Sequence, residues 1–281
     1  QVGPKTGRLQ DFDTFDKLFD AYKKQMEYNI GLMVNADNAV DQAHMERCPL
    51  PFLSSMVTDC IGRGKSAQEG GALYNFTGPQ GFGIANMADA FYVIKKLVFD
   101  EKKITLKEFK EALADNYGRS VDEKQATTIT TEIVRQLVSS GKQVSNDEIA
   151  EIFKKVASSG VDAEKKAKYD RLLEMIDQLP KFGNDNEEID MLAREVAYTY
   201  TRPLEKYENP RGGKYHAGLY PVSANVPLGL QTGATPDARL AGTPIADGVS
   251  PAAGSDVNGP TASANSVAKL DHGIASNGTL F

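Results

Sequence analysis

The sequence predicts a mainly helical fold whose last third is wound, non-helical backbone, on three observations. Apolar residues recur at three- and four-residue spacing along most of the first 208 positions. From Asn209 to Phe281 only eight residues are charged, and Gly, Pro, Ser and small apolar residues fill the rest. Disordered segments are enriched in charge, so this stretch reads as chain threaded through an interior, its Gly and Pro setting dihedrals other residues resist. A candidate strand lies near 217–223, and Asn277-Gly278 reads as a turn opening into another.

The elements follow in order. Phe15, Leu18, Phe19, Tyr22, Met26, Ile30, Met33 and Val34 mark a helix over 13–46, about 50 Å long at 1.5 Å per residue. Cys48-Pro-Leu-Pro51 ends it, because a residue before proline avoids helical dihedrals. A shorter helix is expected at 52–62, then a glycine-punctuated loop over 66–85. Helices resume at 86–100 and 105–117, the second opened by a capping box, Thr105 with Glu108. Residues 120–160 differ in character, polar and without aromatics except Phe153. They read as a peripheral insertion of two helices, 127–139 and 146–158, the latter capped by Ser145 and Glu148. Helices at 163–179, 187–207 and 261–271 complete the set.

Composition excludes several functions. With 41% hydrophobic and 25% charged residues and a net charge of −6, the chain lacks the clustered basic face of a nucleic-acid binder. No apolar run approaches the roughly 20 residues of a membrane helix. Cys48 and Cys60 lie 12 apart, which indicates neither a disulfide framework nor a zinc site, and a reducing cytoplasm is the default. Gln1 at one end, and at the other a strand starting as the sequence stops at Phe281, make both ends read as cut.

Most short motifs have plain readings. Gly64-Lys65-Ser66 lacks the earlier glycine of a phosphate loop, Asp59 standing there, and reads as a helix stop. Gly78-Pro-Gln-Gly81-Phe-Gly83 has the order GxxGxG and reads as a tight turn beside packed backbone. His44, His216 and His272 are scattered, without metal-ligand spacing. Asp89, Asp100 and Glu101 read as solvated carboxylates on helix surfaces. Tyr220-Pro-Val-Ser223-Ala-Asn225-Val-Pro227 stands apart. It sets a phenol, a hydroxyl and an amide near-alternately at a strand end, where buried polar groups must bond each other or a ligand.

Together the strings Asn75-Phe-Thr-Gly-Pro-Gln-Gly-Phe-Gly-Ile-Ala-Asn86, Tyr220 to Pro227, Thr232-Gly-Ala-Thr-Pro-Asp-Ala-Arg239, Ala246-Asp-Gly-Val-Ser-Pro251 and Asn258-Gly-Pro260 through Ser266-Val-Ala-Lys-Leu-Asp-His272 resemble the glycyl radical enzymes. The resemblance points to the branch of glycerol and propanediol dehydratases and choline trimethylamine-lyase. It implies an α/β fold, part of a ten-stranded barrel (its second half-barrel) ringed by helices. Residues 1–208 would form the mainly helical part, with the 120–160 insertion, and 209–281 the barrel wall.

The resemblance also implies radical elimination on a small diol-like substrate, with choline, isethionate or another C–X bond as alternatives. Members carry a thiyl-forming Cys-x-Glu and a radical-storing Arg-Val-x-Gly-Tyr. Neither motif occurs here, so no catalytic residue is assigned, no metal is expected, and the chain is expected to be an interior segment inactive alone. The radical glycine would be installed by an activating enzyme using S-adenosylmethionine and an iron–sulfur cluster. A homodimer, with no nucleic acid or membrane partner, in the cytoplasm or a bacterial microcompartment, is the implied setting. Tyr220, Ser223 and Asn225 carry over as substrate-binding candidates. One departure is Asp237-Ala-Arg239 where the family shows Asp-Gly-Arg, which puts alanine at a position suited to positive φ. A rival reading of another class is a non-catalytic helical interaction module, with a solvated final third.

Overall fold

A computed structural model describes residues 3–119, 123–139, 141–157 and 163–279. Helix α1, Phe15–Arg47, starts where the Thr14 side chain accepts from the Lys17 N–H and stops one residue before Cys48-Pro49. The expected helix at 52–62 is two pieces, α2, Pro51–Met56, and α3, Cys60–Arg63. Asp59 between them is left-handed at φ 73°, a conformation no helix interior admits. Gly64 caps α3 in the same region at φ 62°, as the helix-stop reading requires.

Helix α4, Ile84–Ile94, runs on as a π-helical stretch over Lys95–Asp100, and α5, Leu106–Ala114, carries the Thr105–Glu108 box. The expected extension of α5 to 117 fails because Asn116 and Tyr117 turn left-handed. Tertiary bonds account for this: Asn116 Oδ1 accepts from Ala241 N–H at 2.8 Å, and the Tyr117 hydroxyl donates to Thr235 O at 2.8 Å. Helices α6, Glu123–Ser139, and α7, Asn146–Ala157, pack on each other. The outer limits of the expected insertion, at 120–122 and 158–160, lie outside the described residues. Helix α8, Ala163–Asp177, and α9, Glu187–Leu204, follow. Pro203 in the last turn of α9 brings it to an end short of 207.

The chain from 209 onward is irregular, with α10, Asn225–Leu230, and α11, Pro260–Ala268, inside it. The candidate strand at 217–223 does not form, and among the described residues pairing is confined to isolated bridges. Thr77 faces Tyr215, Gln80 faces Gly218 and Leu219 faces Thr279, all in parallel. Beyond Leu219, Pro221 has no N–H to give a ladder, and Ser223-Ala224 turn into α10, whose first turn accommodates Pro227. The expected strand after Thr279 falls on Leu280 and Phe281, outside the described residues.

Two apolar clusters hold these parts. One joins α1, α4 and α9 to Tyr215, Ala217, Leu219, Ala246, Val249, Val267, Leu270 and Ala275, so the last third packs into the main core. The other joins Val93 and Leu97 to Phe109 of α5, Tyr117 and the Tyr169–Ile176 face of α8. Gly213 sits so close to the 75–76 backbone that a Cβ there would lie 2.0 Å from Asn75 O.

Candidate functional site

Three segments run side by side to place Tyr220. The middle one, Tyr215–Tyr220, receives the first, Thr77–Gly81, through His216 N–H to Thr77 O, Gly218 N–H to Pro79 O and Gly81 N–H to Gly218 O, each 2.9 Å. The third joins through Asn277 N–H to Ala217 O at 3.0 Å and Leu219 N–H to Gly278 O at 2.9 Å. Tyr220 ends the middle segment, half-buried. Gln80 Nε2 donates to its backbone carbonyl, and Asn277 Nδ2 donates to its hydroxyl at 3.4 Å. Gly78 and Gly218 lie against the Asn277 carboxamide, where a Cβ at Gly218 would come 2.8 Å from the Tyr220 ring. Neighbouring Tyr200 donates to Pro79 O at 2.7 Å, and burial, then the Tyr220 phenol, raises its own phenol above the usual range. The GxxGxG string is thus a turn beside packed backbone: Gly81 abuts Leu219 and Tyr200, and Gly83 at φ 74° starts α4.

The candidates Tyr220, Ser223 and Asn225 do not lie on a strand end. Ser223 is an exposed turn residue, and Asn225 begins α10. Asn225 grips Ile245 twice, donating Nδ2 to its carbonyl at 3.0 Å and accepting from its N–H at 3.3 Å. It lines a cavity of about 980 Å³, which neither Tyr220 nor Ser223 reaches.

That cavity collects groups to which the sequence assigned no role in a site. Asn86 bridges its walls, donating to Asp237 Oδ2 at 2.6 Å and accepting from Ala246 N–H at 2.6 Å. Asp237 also accepts from the Thr235 hydroxyl at 2.5 Å. Arg239, 9% exposed, donates through every guanidinium nitrogen to carbonyls and hydroxyls of residues 232–243. Ala238 between them stands at φ 73°, the left-handed position expected of it.

Asp89 overturns its reading as a solvated carboxylate, being 1% exposed, whereas Asp100 and Glu101 are exposed. Its Oδ1 accepts from Phe182 N–H at 2.8 Å. Burial pushes its carboxyl up to about 8, against the opposing Phe182 N–H and Lys181 charge and with help from Asp237 and Asp190. The signal for this was local: α4 buries nearly every residue from Ile84 to Val93, and a carboxyl in a helix apolar all round is buried with it. The histidines bond locally, His216 Nδ1 with Ser276 Oγ at 2.6 Å and His272 with Thr279 Oγ1 and Val267 O. Among the described residues no His, Cys, Asp or Glu cluster could hold a metal ion, and no helix is long and apolar enough to cross a membrane.

The pyruvate formate lyase-like family profile matches residues 1–229, and a glycine radical profile matches 245–281. The (2S)-3-sulfopropanediol dehydratase of Klebsiella oxytoca is 34% identical over all of this chain, which covers 29% of that protein. A structure concerning 1,2-propanediol dehydration in Roseburia inulinivorans superposes with TM-score 0.85 and 60% identity, over 99% of this chain and 33% of that one. The glycerol-bound, B12-independent glycerol dehydratase of Clostridium butyricum gives TM-score 0.79 and 47% identity, over 100% of this chain and 30% of that one. The chain therefore spans about a third or less of the length of these relatives. With a profile matched across more than half its length and structural neighbours of the same kind, this chain belongs to the pyruvate formate lyase-like family of glycyl radical enzymes.

Proposed function

We propose that this chain is a segment of a glycyl radical dehydratase, a carbon–oxygen lyase acting on a small diol such as propane-1,2-diol or glycerol. The observation that carries the reading is the Tyr220 hydroxyl, held at the end of three parallel segments by Asn277 and by Gln80 on its carbonyl. Those segments are the start of a barrel wall in this reading. Identity of 60% and 47% to the propanediol and glycerol neighbours supports the diol over the choline and isethionate alternatives.

In this reading Tyr220 contacts the substrate, Ser223 supplies a hydroxyl from the following turn, and Asn225 steadies the wall through Ile245. A glycyl radical, installed by an activating enzyme with S-adenosylmethionine and an iron–sulfur cluster, would store the radical, and a cysteine thiyl formed from it would abstract hydrogen from the substrate. The chain itself holds neither a Cys-x-Glu nor an Arg-Val-x-Gly-Tyr motif, so it turns nothing over alone. Exposed Phe52 and Tyr74 at 79%, Ile61 at 75% and Val257 at 81% are surfaces that further polypeptide or a second copy in a homodimer would cover. Assembly in the cytoplasm or a microcompartment suits such a lyase.

The test is saturation-transfer NMR of the chain with propane-1,2-diol, glycerol, choline and isethionate. Diol signals should respond, and the response should vanish in Tyr220→Phe. A response from choline or isethionate but neither diol would move the assignment to those lyases. Turnover of any of the four by the chain after incubation with an activating enzyme would refute its inactivity.

A further inference from the structure

The cavity of about 980 Å³ lies between α4, the connection from α8 to α9 and the 237–258 loop. Lys181, in that connection, lines it. The side chain is half-buried, and its Nζ is fully buried without a hydrogen-bond partner among the described residues. A buried charge without a partner is costly, so this ammonium gains from any counter-charge brought within reach. Its flexible four-carbon stem lets it turn toward the void to meet one.

The other charged groups of the wall leave that need unmet. Arg239 is tied to carbonyls and hydroxyls, and Asp237 accepts from Asn86 and Thr235. Asp89 receives Phe182 N–H, and burial raises its carboxyl to about 8, so at neutral pH it carries no charge to offset Lys181. Asp177, exposed at the rim, and Asp247 disfavour a dianion, so the wall suits a ligand with a single negative charge. Leu179, Pro244 and Ile245 supply an apolar surface for its body.

We propose that this cavity is a binding site for a small monocarboxylate, its carboxylate paired with the Lys181 ammonium and its hydrocarbon body laid along Leu179, Pro244 and Ile245. Neither Tyr220 nor Ser223 lines the cavity, so the site is independent of the diol reading.

The test is isothermal titration calorimetry of the chain at pH 7, in a carboxylate-free buffer, with butyrate, 1-butanol, n-butylammonium and inorganic phosphate. Butyrate should bind saturably and the other three should not. Lys181→Met should weaken butyrate at least about tenfold, the least expected when one partner of a buried charge pair is lost. Methionine keeps much of the stem and removes a charge that has no partner, so the same variant, without ligand, should unfold at a higher urea concentration than the wild type. No saturable butyrate binding to the wild-type chain, equal affinity for 1-butanol, or preference for butylammonium or phosphate would each overturn the proposal. So would unchanged butyrate affinity in Lys181→Met, or a lower urea midpoint, which would show that the ammonium already has its partner within the fold. The comparison of the four ligands is read on the wild-type chain, so it stands even if the variant does not fold.

Discussion

The Asn277 carboxamide occupies the space a side chain on Gly78 would need: a Cβ there would lie 2.1 Å from Asn277 Nδ2. The same Nδ2 donates to the Tyr220 hydroxyl, so the bare backbone at 78 and the phenol at 220 share one amide. Gly78→Ala should therefore push the amide off Tyr220 and destabilise the chain by about 1–3 kcal/mol, the usual range for overpacking. In an Asn277→Ala background the same change should cost much less. A double-mutant cycle by urea unfolding checks this, and additive costs would disprove the shared contact.

Ala238 tests backbone strain. An L-residue in the left-handed region costs about 1–2 kcal/mol, and Ala238 sits at φ 73°. Ala238→Gly should relieve most of that, offset partly by greater freedom of the unfolded chain. A net gain of about 1 kcal/mol, seen as a Tm rise of about 2–4 °C by calorimetry, is expected. A fall in Tm would show that the loop is not strained there.

Lys269 joins α11 to the start of α9. Its Nζ lies 2.9 Å from Asp190 Oδ2, 2.8 Å from Asp185 Oδ1 and 3.2 Å from Glu187 Oε2, and the Asp190 side chain is fully buried. Lys269→Met leaves that carboxylate without its cation and should cost about 3–5 kcal/mol. Adding Asp190→Asn should recover much of the loss. Chemical denaturation of the single and double variants decides it, and an equally unstable double variant would contradict the pairing.

Asp89 predicts a pH dependence of stability. The carboxyl titrates near 3.8 when unfolded and near 8 in the folded chain, so between those values the native state holds the extra proton. Unfolding free energy then falls as pH rises from about 4 toward 8, by at most about 1.4 kcal/mol per unit, and levels off above. Asp89→Asn should remove this slope, so the difference between variant and wild type should grow in the variant's favour from pH 5 to 8. Urea midpoints at pH 5, 6, 7 and 8 measure it, and parallel curves would place Asp89 in contact with water.

Local sequence determined what depends on neighbours along the chain. The long α1 and its stop at Cys48-Pro49, the Thr105–Glu108 cap and the Gly64 helix end were all legible, because each rests on residues within a turn of one another; the special dihedral at 238 was legible only against the family's Asp-Gly-Arg pattern. Family membership was legible for a related reason: long uncommon strings carry it without any contact being known. Tertiary structure decided the rest. Tyr220–Pro227 looked like a strand end because its polar groups nearly alternate, yet Pro221 denies it a ladder and the chain coils into α10. Asp89 looked solvated because carboxylates usually are; the apolar residues around it in α4 were the local hint, and the Phe182 segment meets it only in the packed structure. Tyr220 and Asn277 lie 57 positions apart, as do many groups that meet here, and no spacing rule foretells such a meeting. Short-range backbone preference is written in adjacent residues, whereas burial and partnership come from surfaces that exist only once distant segments have packed.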